Sequence, residues 1–295
     1  MVVSNMCHEA SVSAWIALAK DLNIAIKWWS PPPGDDPCLS LSTLEPLLTP
    51  KTRIVTCNHV SNVVGSIHPI REIADRVHQI PNAILIVDGV AWAPHRPVDV
   101  KELDVDFYCF SWYKVFGPHI AQLYGRRSAQ QRFLKGISHF FLSDIPSLDW
   151  RLRLGQNTYE LEESLVPIAR YINSLGWDKI IAQETVLQEA FLAYLNSRPH
   201  LFRVFGERSS DPEKRVSLIT FKVIGKSSTA VAEKINQRGR FRISSGNNWA
   251  PRPTHDVLRL DEEGPIRVSF VHYNTIAEVR EFCNEIDLVL DSGLV

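Results

Sequence analysis

The chain has 295 residues, of which 45% are hydrophobic, enough to bury one large core or two moderate ones. Its formal net charge of −1 gives no electrostatic attraction to nucleic acid or to an anionic membrane surface. No apolar run is long enough to span a bilayer, and the N-terminus does not read as a secretion signal. The five scattered cysteines argue against a disulfide framework or a zinc site. We therefore expect a soluble, cytoplasmic protein with no metal, nucleic-acid or membrane site.

The first half of the chain alternates short apolar runs with helical patterns. The predicted strands are Met1–Ser4, Ile24–Trp28, Arg53–Cys57, Ala83–Val87, Phe107–Ser111 and Ile120–Tyr124. The helices predicted between them are Ser11–Leu22, Ser42–Leu48 and Pro69–Gln79, and Ser42 and Glu45 have capping-box spacing. Ala83–Val87 is typical of a strand buried on both faces. Strands that alternate with helices indicate an α/β fold with a mostly parallel sheet.

The pattern changes after Gly155. Helices are predicted over Tyr159–Leu175, Ile180–Asn196, Ser228–Arg238 and Ile276–Leu290. Strands are predicted over Val216–Val223, Phe241–Ser244 and Ile266–Phe270. This order is typical of a separate, smaller α+β unit. We place the boundary near residue 180, which gives a large domain over 1–180 and a C-terminal domain over 181–295.

Polar side chains follow three of the predicted strands. They are Asn62, Asp88, and Ser111 with Lys114. Ligands bind at the carboxyl ends of strands in an open α/β sheet, and aromatic neighbours of Lys114 would desolvate its amine and favour the neutral, nucleophilic form. A carboxylate that holds a pyridine nitrogen and a lysine that forms an imine are the minimum that pyridoxal phosphate requires. A helix-capping aspartate and a surface lysine explain these two residues equally well.

Four segments resemble class V aminotransferases, and most closely the cysteine desulfurase-like subfamily. They are 8–15 (HEASVSAW), 59–69 (HVSNVVGSIHP), 87–89 (VDG) and 105–118 (VDFYCFSWYKVFGP). Near the C-terminus, 267–275 (RVSFVHYNT) is similar to the family's closing motif. The similarity runs in order along the chain. It implies fold type I of the pyridoxal phosphate enzymes and a homodimer with sites at the subunit interface.

The resemblance also implies a role for each matching residue of the cofactor site. Lys114 would form a Schiff base with pyridoxal phosphate and move protons on the substrate. Asp88 would keep the pyridine nitrogen protonated, and His8 would stack on the cofactor ring. Ser111 would donate to the phosphate, and Gln156, after Gly155, would reach the phosphate of the neighbouring subunit.

Two further residues match the family's grip on the substrate carboxylate, Asn62 and Arg267. A guanidinium suits this role because it binds a carboxylate through two hydrogen bonds. Purely structural roles remain open for three of the matched residues. His8 can cap a helix, Asn62 can serve a turn, and Arg267 can belong to an ordinary ion pair.

The chain departs from the family pattern at three positions. Ala91 stands where many members have a glutamine, and Tyr113 where many have a histidine. Trp249 occupies the place of the loop cysteine that accepts sulfur in true cysteine desulfurases. An indole cannot attack sulfur, so we predict no persulfide formation by that route. Elimination, epimerisation, decarboxylation with carbon–carbon bond formation and transamination remain open.

The family also has a long segment before the histidine motif, with a Gly-Thr-Thr loop that cradles the phosphate at a helix N-terminus. This sequence begins almost at the histidine motif, so we expect that loop to lie outside it. We predict a lyase or transferase that acts on a small amino acid. The alternative is a truncated, weak or inactive paralogue that keeps the fold in a binding role. A nucleotide-binding protein is disfavoured because no Gly-rich fingerprint follows a strand.

Overall fold

The computed structural model describes residues 1–135, 147–152, 155 and 157–293. Its larger sheet has six strands in the spatial order β2-β1-β3-β4-β5-β6. They are β1 (Val2–Ser4), β2 (Lys27–Trp29), β3 (Ile54–Asn58), β4 (Ile84–Asp88), β5 (Phe107–Ser111) and β6 (Ala121–Gly125). β1 to β5 are parallel, and β6 is antiparallel to β5. The predicted α/β fold with a mostly parallel sheet is therefore confirmed.

Helices accompany this sheet along the chain. They are α1 (Glu9–Asp21), α2 (Leu41–Leu44), α3 (Ile70–Val77), α4 (Arg127–Phe133), α5 (Leu148–Leu152), α6 (Tyr159–Glu163) and α7 (Leu165–Leu175). In α3 the side chains of Ile70, Ile73, Ala74 and Val77 are all buried. Their spacing places them on one helical face, which packs into the apolar core of the sheet.

Within the described residues, β4 is fully buried on one face only, contrary to the sequence-based prediction. Leu85 and Val87 are fully buried, whereas Ile84 and Ile86 are half-buried. The latter two face an open apolar cleft whose lining includes Phe133 of α4. Successive side chains of a strand point to opposite faces, so the alternation shows that the two sides of this sheet are covered to different extents.

The predicted capping box at Ser42 is wrong. α2 begins after Ser40, and the hydroxyl of Ser42 contacts that of Ser40 at 2.9 Å. Glu45 does not bond back to a helix start, because its carboxylate accepts from Arg76 at 2.5 and 2.8 Å. A long-range ion pair has thus taken the side chain that the local pattern assigned to the cap.

Two predicted elements of the second half are shorter than expected. The helix predicted over Tyr159–Leu175 is divided at Ser164, whose hydroxyl donates to the carbonyl of Leu161 at 2.7 Å. The strand predicted over Phe241–Ser244 survives only as Ser244–Ser245. The backbone before Ser244 is hydrogen-bonded by a side chain rather than by a neighbouring strand. The side-chain carboxamide of Asn236 bonds both the N–H and the C=O of Ile243 at 2.9 Å. Such local side-chain bonds compete with regular structure.

The second sheet has four antiparallel strands in the order β7-β8-β10-β9. They are β7 (Phe202–Phe205), which the sequence did not predict, β8 (Leu218–Val223), β9 (Ser244–Ser245) and β10 (Ile266–Ser269). The helices beside it are α8 (Trp177–Asn196), α9 (Ser228–Gln237) and α10 (Ile276–Asp291). Phe191 centres the core between them, with its ring 5.6–5.7 Å from those of Phe221, Phe270 and Phe282.

A buried charge cluster joins α8 to the segment after β4. Glu184 is 0% exposed, and both of its carboxylate oxygens lie 3.0 Å from Nδ1 of His95. Nη1 of Arg96 lies 3.6 Å from the same carboxylate.

The domain boundary at residue 180 stays a prediction, and that residue falls inside α8. Within the described residues, no helix is both long and apolar enough to cross a membrane.

Candidate active site

A cavity opens at the carboxyl ends of β3, β4 and β5, the place where the parallel topology concentrates polar groups. Its volume is about 130 Å³. Five of the side chains predicted from sequence line it, namely His8, Asn62, Asp88, Ser111 and Lys114. The fold therefore brings together residues that are more than 100 positions apart in the chain.

Asp88 is the last residue of β4 and lies at the floor of the cavity. Its Oδ1 accepts the backbone N–H of Val90 at 2.9 Å. Burial raises the pKa of this carboxyl, while that hydrogen bond and the charge of Lys114 act in the opposite direction. Its other oxygen has no hydrogen-bond partner among the described residues, so the carboxylate suits a cationic partner such as a protonated ring nitrogen.

Lys114 ends a short 3-10 turn, Trp112–Lys114, that follows β5 directly. Burial lowers the pKa of its amine, and the charge of Arg267 lowers it further. Among the described residues its Nζ has no hydrogen-bond or ion-pair partner. The neutral, nucleophilic amine is therefore more accessible here than on an exposed lysine.

His8 forms the N-cap of α1, which is the structural role that the sequence left open for it. Its Nδ1 accepts the N–H of Ala10 at 3.1 Å. Burial lowers the pKa of the imidazole, and the nearby charge of Lys114 contributes in the same direction. The ring is therefore neutral near pH 7, and it lines the cavity while it caps the helix.

Asn62 and Arg267 meet at the edge of the cavity. Nη1 of Arg267 donates to the backbone carbonyl of Asn62 at 2.9 Å. No carboxylate lies within ion-pair distance of the Arg267 guanidinium among the described residues, so the ordinary ion pair is absent from that part of the chain. The side chain of Asn62 donates Nδ2–H to the carbonyl of Asn248 at 2.9 Å, and its buried Oδ1 has no partner in the part of the chain that the structure describes.

The loop 246–250 closes over this edge. Besides the bond from Asn62 to Asn248, the N–H of Glu9 donates to the carbonyl of Trp249 at 2.8 Å. Asn248 and Trp249 both have left-handed φ angles, of 53° and 57°. Such backbone is uncommon outside glycine and persists where the surroundings fix it. The indole of Trp249 is 77% exposed.

The remaining predicted positions fall as follows. Tyr113 and Ala91 both line the cavity, and the ring of Tyr113 stacks on His119 with centroids 5.3 Å apart. Gln156 lies outside the described residues, so its phosphate contact stays a prediction. The described residues contain no group of three side chains suited to a metal ion.

Sequence reasoning missed the support beneath Asp88. Nδ1 of His59 lies 2.9 Å from the hydroxyl of Tyr108, and the His59 ring stacks on Trp92 with centroids 3.8 Å apart. A Cβ on Gly89 would lie 2.2 Å from the Tyr108 hydroxyl, so only glycine fits after Asp88. His59, the first residue of the segment 59–69, was the available signal. Its role as a support needed the three-dimensional neighbours.

The donor set fits pyridoxal phosphate. The cavity offers a carboxylate for a protonated pyridine nitrogen, an amine for an aldehyde and a hydroxyl for a phosphate, in Asp88, Lys114 and Ser111. The orphaned Oδ1 of Asn62 adds an acceptor that awaits a donor from a bound molecule.

A family model for aminotransferase class V matches residues 1–282. The chain belongs to the aminotransferase class V family. Members of this family, including the cysteine desulfurases, are pyridoxal phosphate enzymes of fold type I. The resemblance inferred from the sequence motifs is thus confirmed.

Curated relatives place the chain in the cysteine desulfurase-like part of the family. It is 75% identical over 292 residues to the nonribosomal peptide synthetase-like enzyme fsqF of Aspergillus fumigatus, covering 99% of this chain and 20% of that protein. It is 58% identical to the cysteine desulfurase-like protein ustD of Aspergillus flavus, covering 98% of this chain and 67% of that protein. The chain thus spans a fifth of the first relative and about two thirds of the second.

Solved structures agree with this family. The cysteine desulfurase CsdA of Escherichia coli matches with a TM-score of 0.86 at 25% identity, covering 100% of this chain and 72% of that one. A cysteine desulfurase of Thermococcus onnurineus matches with a TM-score of 0.83 at 27% identity, covering 98% and 72%.

Proposed function

We propose that this class V chain acts as a pyridoxal phosphate-dependent lyase or transferase on a small amino acid. The observation that carries the proposal is the convergence of Asp88, Lys114 and Arg267 at one edge of the large sheet without ion-pair partners among the described residues. Unpaired charges at a buried site are costly unless a ligand completes them.

Bound at this cavity, pyridoxal phosphate supplies an electron sink for bonds at the carbon that bears the substrate amine. Asp88 would hold the proton on the ring nitrogen, and Ser111 would donate to the phosphate. Lys114 would attach the cofactor as a Schiff base through Nζ and carry a proton to or from the substrate carbon. Its lowered pKa supports attachment to the cofactor and removal of a substrate proton, because both need the neutral amine.

Arg267 would orient the substrate through its α-carboxylate, with two parallel hydrogen bonds from the guanidinium. Asn62 would reach the same carboxylate only with a rotated amide, since its N–H group is engaged by Asn248. In the orientation found here, its free Oδ1 suits the substrate's ammonium. His8, neutral and held by the helix start, would cover one face of the cofactor ring.

Persulfide chemistry is not part of this proposal. Trp249 stands at the place of the sulfur-accepting cysteine, and within the described residues no cysteine lines the cavity. Incubation with cysteine should leave no persulfide on the protein, as measured by mass spectrometry of alkylated samples. Stoichiometric persulfide on any cysteine would overturn this point.

The proposal includes a homodimer and a cytoplasmic location. The family commonly assembles as a dimer, and exposed aromatic side chains such as Tyr113 and Trp249 surround the cavity rim. Sedimentation at micromolar concentration should give twice the mass of the chain. A monomer that binds the cofactor would remove the dimer from the proposal.

Visible absorbance after addition of pyridoxal phosphate tests the central claim. The wild type should gain a yellow band that survives gel filtration, and Lys114→Ala should lose it. Lys101→Ala changes an exposed lysine and is the matched control, which should keep the band. A folded wild type that stays colourless would refute the proposed enzymatic function and favour a binding role for an inactive paralogue.

A further inference from the structure

Three aromatic side chains lie together beneath the turn that follows β4, namely His59, Trp92 and Tyr108. We call this group the ring cluster. Nδ1 of His59 lies 2.9 Å from the Tyr108 hydroxyl, and the imidazole stacks on the indole of Trp92 with centroids 3.8 Å apart. His59 and Tyr108 are only 2% and 1% exposed. None of these three residues lines the cavity, so the cluster does not touch a ligand bound there.

The turn after β4 rests on the ring cluster at three points. The backbone N–H of His59 donates to the carbonyl of Asp88 at 2.8 Å. The ring of Tyr108 occupies the place where a Cβ of Gly89 would lie. The backbone N–H of Trp92 donates to the carbonyl of Gly89 at 3.0 Å. Each member of the cluster therefore contacts Asp88 or the residue directly after it.

The same turn sets the direction of the Asp88 carboxylate. Its Oδ1 accepts the backbone N–H of Val90, the second residue of the turn, at 2.9 Å. A shift of the turn would therefore move this N–H and the carboxylate together. A hydrogen bond weakens steeply once its angle falls below about 120°, and one between charged groups has the most to lose. A displaced turn would thus weaken the contact of Asp88 with a protonated ring nitrogen.

The ring cluster acts through its geometry and adds no charge near Asp88. Burial lowers the pKa of His59 to about 3, and burial also raises the pKa of the Tyr108 phenol well above its usual value. Both groups are therefore neutral at pH 7. Loss of the hydroxyl would remove the partner of a buried ring nitrogen, which is costly unless the ring or the turn above it moves.

We propose that His59 and Tyr108 are positioning residues for the cofactor, which hold the turn after β4 so that the Asp88 carboxylate meets the ring nitrogen of pyridoxal phosphate. This inference rests on the proposed function. In it, the contribution of the ring cluster passes entirely through Asp88. A change in the cluster should therefore lower cofactor affinity only where the carboxylate of Asp88 and the ring nitrogen are both present.

A double-mutant cycle between Tyr108 and Asp88 tests this inference. Tyr108→Phe keeps the ring beneath Gly89 and removes only the hydroxyl. Titration with pyridoxal phosphate, followed by the visible band, should give about tenfold lower affinity than in the wild type, the effect of one hydrogen bond. In the Asp88→Asn background the same change should alter affinity less than about twofold. Equal losses in the two backgrounds would overturn the proposal.

A cofactor analogue repeats the test without a change at Asp88. The deaza analogue of pyridoxal phosphate has carbon in place of the ring nitrogen and keeps the aldehyde and the phosphate. The wild type and Tyr108→Phe should bind this analogue alike, although they differ in their affinity for pyridoxal phosphate. A similar loss of affinity for both compounds would indicate a general loosening of the cavity and would reject the role through the ring nitrogen.

Tyr194→Phe is the matched control for the loss of a tyrosine hydroxyl. The hydroxyl of Tyr194 donates to Oδ1 of Asp287 at 2.8 Å, in the C-terminal part of the chain. This variant should keep the cofactor affinity of the wild type. If it loses as much affinity as Tyr108→Phe does, the effect is not specific to the ring cluster, and the proposal fails.

Two variants of His59 keep the proposal testable if Tyr108→Phe does not fold. His59→Asn places a carboxamide where Nδ1 of the imidazole meets the Tyr108 hydroxyl, whereas His59→Ala removes both the hydrogen bond and the stacked ring. Urea unfolding establishes that each variant is folded. His59→Asn should retain more cofactor affinity than His59→Ala. Equal losses would show that the hydrogen bond contributes nothing to positioning, and the inference would be withdrawn.

The outcomes separate this inference from the proposed function. A folded wild type without a visible band removes the proposed function, and the positioning role falls with it. A wild type that forms the band, together with a folded Tyr108→Phe variant of unchanged affinity, refutes only the role of the ring cluster.

Discussion

Charged side chains are paired differently at the two edges of the large sheet, the amino edge, where the parallel strands begin, and the carboxyl edge, where they end. At the amino edge, Asp106 precedes β5, accepts the N–H of Leu85 at 2.8 Å and lies 2.9 Å from Nε2 of His78. Arg126 pairs with Asp104 beside it at 2.5 Å. At the carboxyl edge, the charged groups of the cavity face one another without ion pairs among the described residues. One edge has its charges neutralised within the chain, and the other has charges that a ligand must complete.

The contrast separates residues that stabilise the fold from residues that bind. A buried carboxylate with hydrogen-bond partners is costly to remove because its partners are left unsatisfied. A buried amine without partners already disfavours the folded state, so its removal costs little or helps. Substitutions at the two edges should therefore change stability in different directions.

The largest expected effect is at the amino edge. Asp106→Asn should lower the free energy of unfolding by about 3 kcal/mol, because it removes the charge facing His78 and Arg126 at a buried position. Urea unfolding measures it. Asp75→Asn breaks an exposed pair with Arg71 and should cost less than about 0.5 kcal/mol. Similar losses in both variants would show that the network at this edge adds nothing to stability.

Next in size is the opposite change at the carboxyl edge. Lys114→Met should raise the free energy of unfolding by about 1 kcal/mol at pH 7, since the folded state lowers the pKa of this amine. The penalty of the ammonium is fully present below the folded pKa and vanishes above the unfolded value near 10.5. Unfolding curves from pH 7 to pH 10 should therefore converge. A destabilised variant at pH 7 would contradict this assignment.

A pH-dependent effect of similar size is expected at His78. The hydrogen bond to Asp106, followed by the charges of Asp106 and Asp104, raises the pKa of His78 in the folded state. Its contribution is therefore fully present below the unfolded value of 6.5 and is lost as the pH rises through the folded pKa. His78→Gln should cost about 1 kcal/mol at pH 5.5 and less at pH 9. A cost that does not change with pH would exclude a charged His78.

The smallest expected change in stability is at the cavity floor. Asp88→Asn keeps the acceptor for Val90 and removes a carboxyl whose pKa burial has raised. The free energy of unfolding without cofactor should change by less than about 0.5 kcal/mol. Affinity for pyridoxal phosphate, measured by absorbance, should nevertheless fall strongly. A large loss of stability with intact cofactor affinity would reverse the proposed contrast between the two edges.

Much of the site could be predicted because parallel topology is readable from a sequence. Apolar strands that end in polar residues place those residues at one edge, and Asn62, Asp88, Ser111 and Lys114 are found there. The family motifs added His8. His8 both caps α1 and lines the cavity, so the structural role and the position at the site, which the sequence left as alternatives, are compatible.

What the sequence could not predict depends on bonds between distant residues. Nδ2 of Asn62 is occupied by Asn248, 186 positions away, and this decides which atom remains free for a ligand. Asn236 likewise converts a predicted strand into irregular backbone through its side chain.

The loop 246–250 also bears on how such a protein can acquire new chemistry. Its position depends on main-chain carbonyls, which accept from Glu9 and Asn62, while the side chain at 249 projects outward. Any residue that tolerates a left-handed backbone can therefore stand there without loosening the rim. An exchange at 249, such as the replacement of a thiol by an indole that the sequence resemblance implies, should therefore leave the fold and the cofactor site unchanged.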